Sequence, residues 1–262
     1  MTAWDADLEA YLGPREAARL DGFLEFLRIP SISGIPAHAG DCARAASWLA
    51  DRLGAVGMEH VEVSPTGGHP IVYADWLHAA GAPTVVAYGH YDVQPVDPLD
   101  EWTSPPFEPV VVGDRILARG ASDDKGNITI LVDAVEALLA VRGALPVNLR
   151  FVFEGEEESS SVHLEPWLLA NRDRLQGDLA IVSDVGFFEG NLPALTVALR
   201  LLRAIERAGR ADPGGRISAR CHPDAAAAAS PHIGDLANRI GPRFTLVPDP
   251  SLPRDRFDVS SA

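Results

Sequence analysis

The chain has 262 residues, of which 47% are hydrophobic, and a formal net charge of −15. This length suits one large domain, or a domain with an appendage, and the apolar content is sufficient for a buried core. The acidic balance disfavours nucleic acid and anionic membranes as partners, no apolar run of about 18 residues indicates a membrane span, and two cysteines do not indicate a disulfide framework.

The N-terminus lacks a basic segment followed by an apolar one, so no signal peptide is expected and the predicted location is cytoplasmic. Apolar residues at helical spacing predict helices over 5–28, 40–56, 126–142 and 162–175. Strands are predicted at HVEVS, PIVYADWL, TVVAYGHYDV, VNLRFVFEG and DLAIVSD, with a hairpin over FEPVVVGDRILARG that turns at Gly113–Asp114. Alternating strands and helices predict an α/β fold, with a mixed, largely parallel sheet and helices on both faces.

The sequence changes character after about residue 198. Residues 1–198 contain 12 basic and 30 acidic residues, whereas residues 199–262 contain 10 and 7 and are rich in Arg, Pro and Ala. We therefore place a boundary between 198 and 199. The segment 199–262 is predicted to be poorly ordered, or to be the product of a shifted reading frame.

Histidine and acidic residues follow the predicted strands. TVVAYGHYDV ends in His90-x-Asp92, and a period of two places both side chains on one side of the strand. His90 could bind a metal while Asp92 orients its imidazole, although a His–Asp pair could also just stabilise the strand end. Asp123 and Asp124 precede a helix, where a helix cap is the alternative interpretation.

The segment EGEEESSS places four carboxylates directly after an apolar strand, and Asp184 follows another strand. A solvated helix start and a turn aspartate are the ordinary interpretations. However, sheets of this class bind ligands at the carboxyl ends of their strands, where these groups would meet. One imidazole with several carboxylates, and no paired cysteines, suits zinc, manganese or cobalt. Metal charge would also offset the repulsion among the glutamates.

The run GHYDVQPVDPLDEWTSPPFEPVVVGDRILARGASDDKG, followed by EGEEESSS and SD, resembles a family of dinuclear metallopeptidases. This family includes carnosinase-type dipeptidases, glutamate carboxypeptidase, aminoacylase, acetylornithine deacetylase and succinyl-diaminopimelate desuccinylase. The resemblance covers residues from about 15 to 198, in family order and spacing, and is greatest for the dipeptidase branch. It implies that residues 1–198 are the N-terminal part of a catalytic domain.

The resemblance implies a role for each matching residue. His90 and Asp184 would bind one metal, Asp92 would orient His90, and Asp123 would bridge both metals, with a cis peptide bond between Asp123 and Asp124. The cofactors would be two divalent ions, most simply zinc, with manganese or cobalt as alternatives.

The glutamate run would supply the remaining groups. Glu157 would act as the general base, taking a proton from the attacking water and returning it to the leaving amine, and Glu158 would bind the second metal. The extra Glu156 permits a one-residue slip in this assignment. Lys125, the one lysine of the chain, is expected to support the loop.

The sequence after about residue 198 departs from the family pattern. Family members have a lid domain, usually with the homodimer interface, and a final histidine ligand to the second metal, and neither is recognisable here. The catalytic domain is therefore expected to be truncated. Three functions stay open: a hydrolase of dipeptides or short peptides, an N-acyl amino acid amidohydrolase, and a non-catalytic remnant.

Overall fold

The computed structural model describes residues 3–184, 187–188, 192–212, 214–254 and 256–261. The chain forms two compact units, Met1–Asp184 and Val185–Ala262. Within the described ranges, no helix combines the length and apolarity needed to cross a bilayer.

Five α-helices belong to the first unit: α1 Ala3–Leu12, α2 Glu16–Leu27, α3 Ala39–Ala55, α4 Lys125–Arg142 and α5 Leu164–Ala170. The predictions of α3 and α4 are confirmed, and α4 ends at Gly143 in the left-handed conformation that glycine tolerates. The single helix predicted over 5–28 is divided by a 3₁₀ turn, Gly13–Arg15, because Pro14 has no N–H to continue the helical ladder. Helix α5 is shorter than predicted and ends before Asn171, a weak helix former.

The first unit also contains seven strands: β1 Glu59–Ser64, β2 Ile71–Trp76, β3 Thr84–His90, β4 Val110–Val112, β5 Arg115–Leu117, β6 Asn148–Glu154 and β7 Leu179–Val182. Five of them form one sheet in the order β1-β2-β6-β3-β7. Strands β6, β3 and β7 are parallel, while β1 and β2 are antiparallel to their neighbours. The predicted mixed sheet is confirmed, and β4 and β5 form the predicted hairpin.

Helices cover both faces of this sheet, as predicted. Alternate residues of β6 face opposite sides: Phe151 and Phe153 join a core with α3 and α4, whereas Val152 joins a smaller cluster with Trp167 of α5. This alternation follows from the two-residue period of a strand. The run LRFVF is buried because both of its faces are covered.

The second unit has its own core. Its elements are β8 Phe187–Phe188, β9 Leu192–Pro193, α6 Ala194–Ala211, β10 Ile217–Cys221, α7 Pro223–Ala229, α8 Ile233–Ile240, β11 Phe244–Pro248 and β12 Phe257–Ser261. Strand β10 lies between β11, which is parallel, and β12, which is antiparallel. Leu201 and Ile205 of α6 pack with Ile217 of β10 in a buried cluster.

This unit differs from the tail predicted for residues 199–262. The predicted boundary at residue 198 falls inside α6, and the two units divide after Asp184 instead. The consecutive alanines of Ala225–Ala229 form most of α7, because alanine has the highest intrinsic helix propensity. Arg243 also donates to the backbone oxygens of Gly209, Asp212, Gly215 and Ile240, contacts that no periodicity reveals.

Candidate metal centre

Parallel pairing places the candidate site residues at one edge of the sheet. His90 is the last residue of β3 and pairs in register with Glu154, the last residue of β6. Glu157 follows β6, and Asp184 follows β7, which runs parallel to β3. Since the carboxyl ends of parallel neighbours share an edge, these side chains converge.

His90 lies at the centre of the convergence. Its side chain is fully buried, and Nε2 lies 3.1 Å from Asp123 Oδ1, 3.8 Å from Asp184 Oδ2 and 3.9 Å from Glu157 Oε2. One ligand atom each from His90, Glu157 and Asp184 lie within 4.8 Å of one another. Nε2 nevertheless has no hydrogen-bond partner. A buried nitrogen that meets no hydrogen-bond criterion and faces three carboxylates offers the donor set that a divalent cation requires.

The electrostatics of His90 agree with this interpretation. Burial acts to lower the pKa of His90, but the Asp123 and Asp92 carboxylates outweigh burial and raise it to about 11. His90 in turn lowers the pKa of Asp123. Carboxylates that hold a proton on the imidazole would equally stabilise a divalent cation in its place.

Asp92 connects His90 to the glutamate turn. His90 Nδ1 lies 3.3 Å from Asp92 Oδ1, and the Asp92 carboxylate accepts the backbone N–H groups of Glu157 at 3.3 Å and Glu158 at 3.1 Å. The Ser33 hydroxyl donates to Asp92 Oδ2 at 2.6 Å. His90 Nδ1 thus faces both the backbone oxygen and the carboxylate of Asp92, and the same carboxylate anchors the turn, a contact that sequence reasoning did not find.

The side chains of Asp123 and Asp124 point in different directions. The Asp123 side chain is more than half exposed and reaches His90 Nε2, whereas Asp124 is buried and its Oδ2 accepts the His90 backbone N–H at 3.1 Å. Burial raises the pKa of Asp124 to about 7. Asp124 occupies the N-cap position of α4, yet its side chain makes no capping bond. The peptide bond between the two residues is cis, as the resemblance implied.

The four glutamates of EGEEESSS separate instead of crowding together. Glu154 is buried and accepts the hydroxyls of Tyr88 and Ser161. Burial raises its pKa.

The other three glutamates have different neighbours. Glu156 contacts His163, Glu157 faces His90, and the Glu158 carboxylate accepts the side-chain amide of Gln94. Glu157 is thus the glutamate that joins His90 and Asp184, while Glu158 lies outside that compact group.

Sequence reasoning missed two polar residues that contact the candidate metal centre. Ser33 and Gln94 each bond to a predicted site residue, but both are common polar residues without a motif. The Ser33 contact depends on how the segment 28–34 lies beside the residues that follow β3, where Ile32 bridges to Val93. Lys125 is buried, and its Nζ donates to the backbone oxygens of Phe26 and Ile29.

Comparisons with known proteins identify related chains. The model of "Peptidase family M20/M25/M40" matches residues 86–236, beyond the limit of about 198 that the resemblance set. The human protein "Beta-Ala-His dipeptidase" is 32% identical over 182 residues, which cover 65% of this chain and 36% of that protein. The "Succinyl-diaminopimelate desuccinylase" of Xanthomonas campestris is 35% identical over 136 residues, 51% of this chain and 34% of that protein.

A solved structure supports the same relationship. It is described as an M20 family metallo-carboxypeptidase, Sso-CP2, from Sulfolobus solfataricus, and it aligns with a TM-score of 0.60 at 36% identity. The alignment covers 66% of this chain and 38% of that structure. The matched region spans between 27% and 40% of the length of the curated relatives.

Proposed function

Because the chain belongs to peptidase family M20/M25/M40, whose model matches residues 86–236, we propose that it performs metal-dependent hydrolysis of the amide bond in dipeptides or short peptides. The observation that carries this proposal is the buried, unpartnered His90 Nε2 facing the carboxylates of Asp123, Glu157 and Asp184.

The proposed metal ligands combine this geometry with the roles that the family resemblance implied. His90 and Asp184 would hold a first ion, Asp123 would be shared with a second, and Glu158 would complete the chain's contribution to the second. When bound, the ions, most simply zinc, would polarise the amide carbonyl and lower the pKa of the attacking water. Asp92 would keep His90 in the ligating orientation.

Glu157 would transfer the proton. Its carboxylate takes a proton from the attacking water as the water oxygen bonds to the carbonyl carbon, and gives it to the amide nitrogen as the C–N bond breaks. The products are a carboxylate and a free amine. The Glu157 backbone, held by Asp92, keeps this carboxylate next to His90.

A second substrate class has support of its own. The similarity to a desuccinylase favours N-acyl amino acids as the alternative. The cytoplasmic location stays a prediction from the sequence, and the homodimer stays a property of the family, whose interface segment is not recognisable in this sequence.

The test uses the purified full chain with zinc, elemental analysis, and a panel of dipeptides and N-acetyl amino acids. We expect about two zinc ions per chain and turnover of dipeptides. Asp123→Asn should lose bound metal, whereas Glu157→Gln should keep it and lose about 100-fold or more in kcat. Glu165→Gln, at an exposed position of α5, is the matched control and should retain both.

The possible outcomes separate the candidates. Turnover of N-acetyl amino acids alone would favour the amidohydrolase. A folded chain that takes up no zinc, or that hydrolyses neither class, would refute the proposal.

A further inference from the structure

We propose that Glu156 and His163 are positioning residues, whose pair holds the turn carrying Glu157 and Glu158 against the loop 66–70. This inference rests on the proposed function for its effect on metal binding. Its structural part, the fixing of the turn, stands on contacts that involve no metal.

Glu156 joins two separate segments of the chain. Its side chain is only 13% exposed, and its Oε2 lies 2.8 Å from His163 Nδ1. Its other oxygen, Oε1, accepts the backbone N–H of His69 at 3.2 Å. Both carboxylate oxygens are thus engaged, so Glu156 could bind a metal only by breaking these contacts.

The loop 66–70 packs its backbone directly against the pair. A Cβ added at Gly68 would overlap Glu156 Oε1, and one added at Gly67 would lie 2.6 Å from His163 Nε2. Close packing therefore explains the two adjacent glycines of PTGGHP, since a side chain at either position would collide with the Glu156–His163 pair.

The loop is also tied to the segment that supports Asp92. His69 Nε2 lies 3.2 Å from the Ser33 backbone oxygen, and the Ser33 hydroxyl donates to Asp92. Asp92 in turn accepts the N–H groups of Glu157 and Glu158. The turn is therefore held on two sides, by Asp92 and by the Glu156–His163 pair.

The turn needs such support because its backbone is strained. Ser160 and Ser161 have φ values of 86° and 50°, in the left-handed region that side chains disfavour. Such conformations persist when surrounding contacts determine them. The bond from the Glu157 N–H to Asp92 is already long, at 3.3 Å, so a small relaxation of the turn would weaken it further.

The experiment compares Glu156→Ala, Glu156→Gln and Gly68→Ala in the full chain. Glu62→Ala is the matched control, because it removes a carboxylate paired with Arg174 at the same 2.8 Å, outside the turn. Gly68→Ala keeps the Glu156 carboxylate but displaces its flexible end. The readouts are Zn²⁺ affinity, measured by chelator competition, and hydrogen exchange of the Glu157 and Glu158 amides in metal-free protein.

We expect Glu156→Ala to lower Zn²⁺ affinity by about 10- to 100-fold, the range typical of groups that orient metal ligands. The Glu157 and Glu158 amides should exchange faster by at least about 10-fold, and Gly68→Ala should act in the same direction. Glu156→Gln should lose less, because its carbonyl can still accept the His69 N–H. Glu62→Ala should change neither readout.

The proposal is overturned if folded Glu156→Ala binds Zn²⁺ within about twofold of the unmodified chain and its two amides exchange at the unmodified rate. Equal losses in Glu62→Ala would also overturn it. Should Glu156→Ala fail to fold, the other two variants decide by the same criteria. Should the unmodified chain bind no Zn²⁺, the proposed function fails, and amide exchange alone decides whether the pair fixes the turn.

Discussion

At the scale of single residues, one buried lysine depends on where its neighbours place polar atoms. Lys125 is completely buried, and burial lowers its pKa to about 7. Its Nζ donates at 3.1 Å to the Phe26 oxygen and at 2.7 Å to the Ile29 oxygen. These contacts tie the loop that carries Asp123 to the end of α2, which explains why a lysine can be buried there.

Lys125→Ala should therefore lower the free energy of unfolding by about 3 kcal/mol, because it leaves a cavity and removes the lysine's hydrogen bonds to two buried carbonyl oxygens. Chemical denaturation measures the change. Ile130→Ala, at an exposed position of the same helix, is the control and should stay within about 0.5 kcal/mol of the unmodified chain. A loss no larger than that of the control would contradict the role assigned to Lys125.

The two cysteine thiols are also buried. Both Cys42 and Cys221 are free and buried, and burial raises the pKa of Cys42 to about 12. Because the thiolate is the reactive form, neither thiol of the native chain should react with a thiol reagent at about pH 8. Both should react once denaturant is added. A thiol that reacts rapidly in the native protein would show that its surroundings open.

At the scale of elements, the sheet edge and the glutamate turn determine the site together. Parallel pairing brings the end of β3 beside the ends of β6 and β7. The turn after β6 then directs successive glutamates to different neighbours, which removes most of the repulsion that the sequence suggests. This arrangement requires positive φ values at Ser160 and Ser161, which strain the backbone.

Ser160→Gly should stabilise the protein, because glycine adopts φ of 86° without the clash of a side chain. We expect the free energy of unfolding to rise by up to about 1 kcal/mol, measured by chemical denaturation. Ser159→Gly is the control. Ser159 belongs to a 3₁₀ turn with negative φ, and glycine there should be neutral or cost about 0.5–1 kcal/mol. Destabilisation by Ser160→Gly would mean that the serine side chain contributes more than its backbone strain costs.

At the scale of the whole molecule, the net charge of −15 favours the binding of cations. The acidic groups of the candidate metal centre all belong to the first unit, Met1–Asp184. An ion held there by His90, Asp123 and Asp184 would link three separate parts of the chain. Such an ion binds the folded state far better than the unfolded chain.

Zn²⁺ should therefore raise the melting temperature of the chain, and a chelator should reverse the effect. At a free concentration of about 100 times the Kd, the expected stabilisation is about 2.7 kcal/mol. Asp123→Asn should remove most of it, while Glu165→Gln should not. Thermal unfolding at several Zn²⁺ concentrations measures the effect, and a melting temperature that does not depend on Zn²⁺ would argue against the site.

The sequence by itself determined the class of the fold, most element positions and the candidate metal-binding residues. These features are local: periodicity marks strands and helices, and His90, Asp92 and Asp123 stand in short motifs at strand ends. The division of the chain into two units could not be predicted from the sequence, because the core around α6 and β10 depends on contacts between distant segments.

Only the tertiary structure decided how the glutamates are directed and which polar residues support them. Ser33, Gln94 and His163 carry no motif, and their contacts with Asp92, Glu158 and Glu156 arise from segments far apart or from turn geometry. A hydrogen bond depends on distance and direction in space, and sequence spacing determines neither once a turn has left the regular helix or strand.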